Sequence, residues 1–405
     1  MIAAQTVTAR KGPLSRFTIL DASRVRAGPT AIRTFADLGA RVIKLEIPPG
    51  APGGDDMIGG RDHNRADYEN LHRNKESLTL NMKEPEGLAI LHALVKQADV
   101  FIENYRPDVK YRLGIGPDAL HAVNPRLVYA SISGFGQDGP YANWPGFDSI
   151  AQGMGGLMSI TGRPEDGPMR VGIPIADLCS GHFCAQAIMA ALLEREVSGE
   201  GQWVQTSLLE AQIAMLDFQA AQWLIDRKVP QSTGNEHPLT VPTGVFATHD
   251  GYLNLAAIGQ TMWKRLCVAL EVPQLIDEPG FGSDPERVQN RARVNAAVGA
   301  VFKTRSTAEW TEILLKAGVP CGPIHAVDAM FADPQVKHLG IARPMHHPEL
   351  GDIEVIGLPM RFSRYPREEG PMQPAPHQGD QTDAILTSLG YSPEQVAQLR
   401  AQLVV

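Results

Sequence analysis

The chain has 405 residues, 43% hydrophobic and 20% charged, enough to build two or three domains around buried cores. Its 37 basic and 45 acidic side chains leave a net charge of −8, which argues against a protein that coats nucleic acid but leaves room for a local phosphate pocket. Four cysteines make no disulfide framework, no run approaches the roughly 18 apolar residues of a membrane span, and the first residues lack a signal peptide's apolar core. A cytoplasmic enzyme or large binding protein is expected.

From Phe17, the β-branched stretch FTILDAS predicts a strand ending near Asp21. AGPTAIRTFADLGA then spaces Ile32, Phe35, Ala36 and Leu38 helically and stops at Gly39. RVIKLEI gives a second strand and residues 77–80 a third extended piece. EPEGLAILHALVKQA follows as a helix with Pro85 in its first turn. DVFIENY and LVYASIS add two strands with a short helix between them. This alternation predicts βαβ units, a mostly parallel sheet and the α/β class.

Residues 181–197 and 202–228 read as two long helices. The second, at 1.5 Å per residue, would span roughly 40 Å and suits an element linking domains or subunits. TGVFATHDGYLNLAA predicts a hairpin with Asp250 and Gly251 at its tip. Helical stretches continue to about residue 317, residues 345–363 look strand-like, and two helices close the chain. The expected organisation is a large domain over residues 1–228, a small α+β domain over 235–330, and a return segment, 335–405, that completes the large domain.

Gly134, Gly136 and Gly139 match G-x-G-x-x-G after a strand, but Pro140 and Pro145 forbid the regular helix that a dinucleotide site needs. The other readings are a loop that lets backbone approach a ligand or another strand, and a plain tight turn. Cys179, His182 and Cys184 lie close together without the further spaced ligands of a zinc site, so no metal is expected. Neither a G-x-S-x-G motif nor a cysteine-nucleophile signature is present.

Asp177 ends an extended apolar run just before the helix HFCAQAIMAALLERE, where it fits an N-cap. The positive helix end there favours an ionised carboxylate, able to act as a nucleophile in acyl transfer. A capping aspartate and nothing more is the alternative. Arg73, Lys75, Lys83, Arg106, Lys110 and Arg112 fall near the predicted strand ends, where α/β folds place ligands. Together they would suit a polyphosphate; scattered surface charges are the other reading.

DASRVRAGP (21–29), LGARVIKLE (38–46), NKESLTLNMK (74–83), ADVFIENYRP (98–107), NPRLVYASISGFGQDGP (124–140), ADLCSG (176–181), GQWVQTSLLEA (201–211) and GVPCGPI (318–324) occur in this order. In these pieces, and from Phe17 to the end, the sequence resembles the class III CoA-transferases of the formyl-CoA transferase and carnitine dehydratase/bile-acid-inducible protein F group. The resemblance implies a large Rossmann-like domain with a smaller α+β one, in an interlocked ring-like homodimer that the helix at 202–228 would support. It places the nucleophile on Asp177, which would attack an acyl-CoA and become an aspartyl-CoA thioester. Contacts to coenzyme A fall on Val25, Arg26, Ala27, Leu80, Lys83, Asn104, Tyr105 and Arg112, with Lys83 and Arg112 as phosphate partners. No permanently bound cofactor is implied. The partners are an acyl-CoA substrate, a carboxylic acid acceptor and a second copy of the chain, with no nucleic acid and no membrane.

Two departures bear on the substrate. Arg26 stands where formyl-CoA transferase carries glutamine, and it would either pair with a second carboxylate of a dicarboxylic acid or reach a CoA phosphate. The tetraglycine loop expected within 230–250 has no counterpart, which argues against formate and oxalate. The related α-methylacyl-CoA racemases use the histidine of a Gly-His-Asp triplet, which here reads Gly146-Phe147-Asp148. Phenylalanine carries no proton, so racemase or epimerase chemistry is the alternative and transferase chemistry the first reading. A third possibility is a CoA-thioester binding protein without catalysis. Asp148 is either a second carboxylate at the acyl site or a structural turn residue.

Overall fold

The computed structural model describes residues 11–52, 66–366, 370 and 372–405. Its contacts group Met1–Leu157, Val171–Arg227 and Leu339–Val405 into one unit, and Met158–Arg170 with Lys228–His338 into another.

The first unit alternates strand and helix from its start. β1 (Thr18–Asp21), α1 (Ala27–Asp37), β2 (Arg41–Glu46), α2 (Ala66–His72), β3 (Glu76–Thr79), α3 (Pro85–Val95) and β4 (Val100–Glu103) come first. They are followed by α4 (Pro107–Arg112), α5 (Pro117–Val123), β5 (Val128–Ser133), α6 (Asp148–Met154) and α8 (Ile175–Ser198), while α7 (Leu157–Ile160), between the last two in the chain, falls almost wholly in the second unit. The strands pair in the order β3-β2-β1-β4-β5, with β6 (Trp203–Ser207) at the far edge, and every neighbouring pair is parallel. The order reverses between β1 and β4, and there the carboxyl ends of an α/β sheet open a crevice for ligands.

Both strands at that reversal end in a buried acid held by a buried lysine. Lys75 Nζ lies 2.9 Å from Asp21, and Lys110 Nζ lies 3.3 Å from Glu103, all four side chains without solvent exposure. Burial pushes the lysines down and Glu103 up from their ordinary pKa values, and the pairing opposes the shift in each. Arg73 is buried too, against Asp37 at 2.5 Å. These three cations therefore hold the scaffold together and do not form the polyphosphate cluster suggested by their positions in the sequence.

α8 begins six residues before the predicted helix and packs along α1. Gly181 makes the approach possible: a Cβ there would lie 2.6 Å from the Ala27 carbonyl oxygen and 2.9 Å from Thr30 Cβ. By length and composition α8 is apolar enough to cross a membrane, yet half of its most apolar window is buried inside the protein.

The single long helix expected over 202–228 does not form. In its place are β6, α9 (Leu208–Ala214) and α10 (Phe218–Asp226). Trp203 and Val204 pair with Tyr129 and Ala130 of β5, so sheet completion overrides the helical periodicity. The Ser207 hydroxyl then accepts the Glu210 N–H at 3.1 Å and starts α9 only there. Positive φ at Asp217 and Arg227 bounds α10, whose Trp223, Leu224 and Ile225 are exposed.

The second unit contains an antiparallel sheet of β7 (Thr243–Ala247), β8 (Tyr252–Ala256) and β9 (Cys321–Pro323), with Asp250 and Gly251 in the hairpin turn. α11 (Gly259–Ala269), α12 (Asp284–Gln289), α13 (Arg291–Phe302) and α14 (Thr307–Lys316) surround a core that includes Trp263, Phe302 and Trp310. After α15 (Val327–Ala332) and α16 (Pro334–Leu339), the chain forms the hairpin of β10 (Ala342–His347) and β11 (Gly351–Ile356). α17 (Thr382–Ser388) and α18 (Pro393–Ala401) then add Ile385, Leu386, Val396 and Leu399 to the core that contains Leu78 of β3.

Gly181→Val should lower stability by about 1–3 kcal/mol, because the added carbons meet backbone that cannot swing aside. Urea unfolding of the variant beside the wild type measures this as a lower midpoint.

Candidate active site

The loop after β1 is fastened on both sides of the crevice. Asp21 accepts the Ser23 hydroxyl at 2.5 Å and the Ser23 N–H at 3.1 Å. From the end of β4, Asn104 reaches across: its Oδ1 accepts the Arg24 N–H and its Nδ2 donates to the Arg24 carbonyl, each at 2.8 Å. Between these anchors Val25 takes φ 62, an unfavourable conformation for a β-branched residue, and is exposed. The turn sets Arg26 at the N-cap of α1, where its guanidinium donates to Asp67 of α2 at 2.7 Å.

Asp177 is not the N-cap of its helix. Pro174 holds that position, without a side-chain cap, and Asp177 is the third residue of α8. The cap comes from Asp148 at the start of α6, whose Oδ1 accepts the N–H groups of Ala176 at 2.8 Å and Asp177 at 3.4 Å. One turn along α6, Gln152 donates to the other Asp148 oxygen at 2.7 Å and accepts the Val171 N–H at 3.0 Å. Burial, with Asp148 acting in the same direction, pushes Asp177 up from the usual carboxylate range to about 6, while Arg26 opposes the rise. Asp177, Asp148 and Arg26 thus come together, and at pH 7 most of Asp177 is an ionised carboxylate.

The glycine-rich loop shapes this site without holding a nucleotide phosphate on a helix. Gly139 leads into turns, and a Cβ on Gly134 would lie 2.8 Å from the Gly146 Cα, so the loop closes on its own backbone. That closure delivers Phe147, exposed, and Asp148 to the start of α6. Gln137 within the loop contacts the Lys110 amine and ties the loop to β4. Cys179 is buried and its thiol is pushed up to about 11, while Cys184 belongs to the core. Among the described residues no three His, Cys, Asp or Glu side chains gather as metal ligands.

The remaining contact candidates have varied surroundings. Lys83 and Arg112 are exposed, the first donating to the Pro52 carbonyl at 3.2 Å, the second pairing with Asp108 at 3.2 Å. Tyr105 donates its N–H to Glu103 at 2.8 Å, and the Arg24 guanidinium lies 5.4 Å from its ring centre. Ala27 is buried at the start of α1, and Leu80 is buried in the core. Sequence reasoning missed Gln152 and Asp67. The i,i+4 spacing of Asp148 and Gln152 was the one available signal for the former.

The profile of CoA-transferase family III matches residues 14–382. The chain belongs to this family. It is 39% identical over 378 residues to succinyl-CoA:glutarate CoA-transferase of Mus musculus, covering 92% of this chain and 86% of that protein. It is 37% identical over 396 residues to succinate–glutarate CoA-transferase of Agrobacterium fabrum, covering 94% and 96%. The crystal structure of a CAIB/BAIF family protein from Brucella suis matches with a TM-score of 0.82 at 33% identity, covering 94% of this chain and all of that one. The chain is therefore a CoA-transferase, of a family whose substrates are CoA thioesters.

The folded chain keeps the Asp177 proton up to about pH 6, whereas an unfolded aspartate releases it near pH ~4. Between those values the folded state binds more protons, so stability falls as pH rises through the window. Above pH 6 the charge costs the fold at most about 3 kcal/mol. Asp177→Asn should accordingly raise the melting temperature at pH 7.5, with the gap to wild type closing toward pH 4 in parallel thermal melts.

Proposed function

We propose that the enzyme moves CoA between dicarboxylic acids through a covalent aspartyl-CoA intermediate on Asp177. An Asp177 oxygen attacks the thioester carbonyl, the carbon–sulfur bond breaks, and CoA leaves as thiolate. The thiolate attacks the Asp177 carbonyl of the resulting anhydride, releases the donor as its carboxylate, and leaves Asp177 as a CoA thioester. An acceptor carboxylate then attacks that thioester and expels the thiolate. The thiolate takes the acceptor acyl group and returns Asp177 to its free carboxylate. Each step exchanges one acyl bond for another, so the exchange proceeds without outside oxidant or reductant.

The observation that carries the dicarboxylate reading is Arg26, a guanidinium that acts on Asp177 and already holds the Asp67 carboxylate at 2.7 Å. A fork that binds an internal carboxylate suits the distal carboxylate of a diacid in the same way. The names of the mouse and Agrobacterium relatives, with succinyl or succinate and glutarate in both, support this. Phe147 argues against racemase chemistry, since it offers no acid or base. We propose also that the enzyme works as a homodimer, with the exposed Trp223, Leu224 and Ile225 of α10 in the surface that a second copy covers.

Incubation with succinyl-, malonyl-, acetyl- or formyl-CoA, a hydroxylamine quench and peptide mass spectrometry should give a hydroxamate at Asp177, strongest with a diacid donor. Asp177→Asn should give none. Arg26→Gln should lower kcat/KM for succinyl-CoA about 10- to 100-fold more than for acetyl-CoA, the worth of one charged hydrogen bond. Unlabelled wild-type enzyme that exchanges the α-proton of a 2-methylacyl-CoA in heavy water would falsify the transferase mechanism.

A further inference from the structure

We infer that Asp148 is a positioning residue that biases Asp177 toward its covalent state by taking the helix N-terminus that would otherwise stabilise the free carboxylate. The inference rests on the assignment of Asp177 as nucleophile.

The start of α8 offers unpaired N–H groups and the positive end of the helix dipole, both of which stabilise a nearby anion. Two carboxylates stand there, and only one receives the hydrogen bonds. Asp148 takes the Ala176 N–H at 2.8 Å and the amide of Asp177 itself at 3.4 Å. Gln152 fixes its other oxygen at 2.7 Å and is itself anchored to the Val171 N–H. Among the described residues no donor hydrogen-bonds the Asp177 carboxylate. The nucleophile is left beside a second negative charge, with Arg26 as the opposing cation.

The neighbouring elements add little to that balance. α1 contributes Arg26 at its N-cap, and α6 contributes Asp148. On α9, Glu210 is engaged by the Ser207 hydroxyl at 2.7 Å. On α8 itself, Cys179 holds its proton, and burial lowers the pKa of His182.

Conversion of Asp177 to its CoA thioester forms a bond from the Asp177 carbonyl to sulfur, and the negative charge leaves on the donor carboxylate. The repulsion from Asp148 then has no partner. Asp148 therefore raises the free energy of the free enzyme and spares the covalent one, so the covalent form accumulates. Its amide contacts also keep the first turn of α8 in place throughout.

Asp148→Asn removes the charge while its amide oxygen still accepts both N–H groups, at the loss of the hydrogen bond from Gln152 to the other oxygen. The measurements are the pH dependence of kcat/KM for succinyl-CoA and the fraction of enzyme trapped by hydroxylamine at saturating donor. In the wild type the rate should fall through about pH 6 as Asp177 gains its proton. In Asp148→Asn the acid limb should move to lower pH and the trapped fraction should drop. A limb that moves down by one pH unit raises the rate at pH 5, relative to its own plateau, about fivefold. An acid limb and a trapped fraction both equal to wild type would overturn the inference. Asp148→Ser, a neutral hydroxyl cap, carries the same expectation if the asparagine variant fails to melt cooperatively. Wild-type enzyme that gives no hydroxamate at Asp177 sinks the nucleophile assignment instead, so the two failures are distinguishable.

Discussion

A helix N-terminus stabilises one anion well, and the first turn of α8 is shared by two carboxylates, Asp148 and Asp177. The contest has a geometric outcome. Asp148, arriving from a different helix, takes the amides and becomes the cap that Pro174 does not supply. Asp177, rooted inside the turn, is left half-buried and repelled, so its charge is held at a high free energy without being lost at neutral pH. Arg26 sets the limit on that destabilisation. Without a cation at the start of α1, burial and Asp148 together would push the carboxyl still higher and reduce the ionised fraction.

The rest of the first unit can be understood as what keeps these three side chains in register. α1 and α8 approach closely only because Gly181 lacks a Cβ, and the residues at their N-termini include Arg26 and Asp177. Arg26 is aimed by the loop after β1, which Asp21 holds from below and Asn104 from the adjacent strand. The ends of β1 and β4 are in turn fixed by the Asp21–Lys75 and Glu103–Lys110 pairs. Such pairs contribute little net stability against apolar replacements, but loss of one partner leaves a buried charge that typically costs 3–5 kcal/mol. They make the strand ends intolerant of small adjustment, which suits a site that depends on the relative placement of charges.

Much of this architecture was legible in the residue order. Strands such as TILD, RVIKLE and VYASIS are β-branched and short, and the helix at 85–95 has proline in its first turn, so local preference and final structure agree. The stretch 202–228 misled because its apolar periodicity fits a helix in isolation, while Trp203 and Val204 complete the sheet beside β5. The basic residues misled for a related reason. Lys75 meets Asp21 across 54 residues and Arg73 meets Asp37 across 36, so a cation on the page had its partner elsewhere in the chain.

The sequence by itself determined the α/β class and the absence of a Rossmann glycine helix at Gly139, because each depends on neighbours within a few residues. It put Asp177 ahead of its helix, whereas α8 already begins at Ile175. The tertiary structure alone decided how that aspartate behaves. Its cap, its repelling charge and its opposing cation come from α6 and α1, and Asp148 is 28 residues away in the chain from the amide it caps. Burial and Coulomb interaction depend on distance in space, and that distance exists only once α1, α6 and α8 have packed on the parallel sheet.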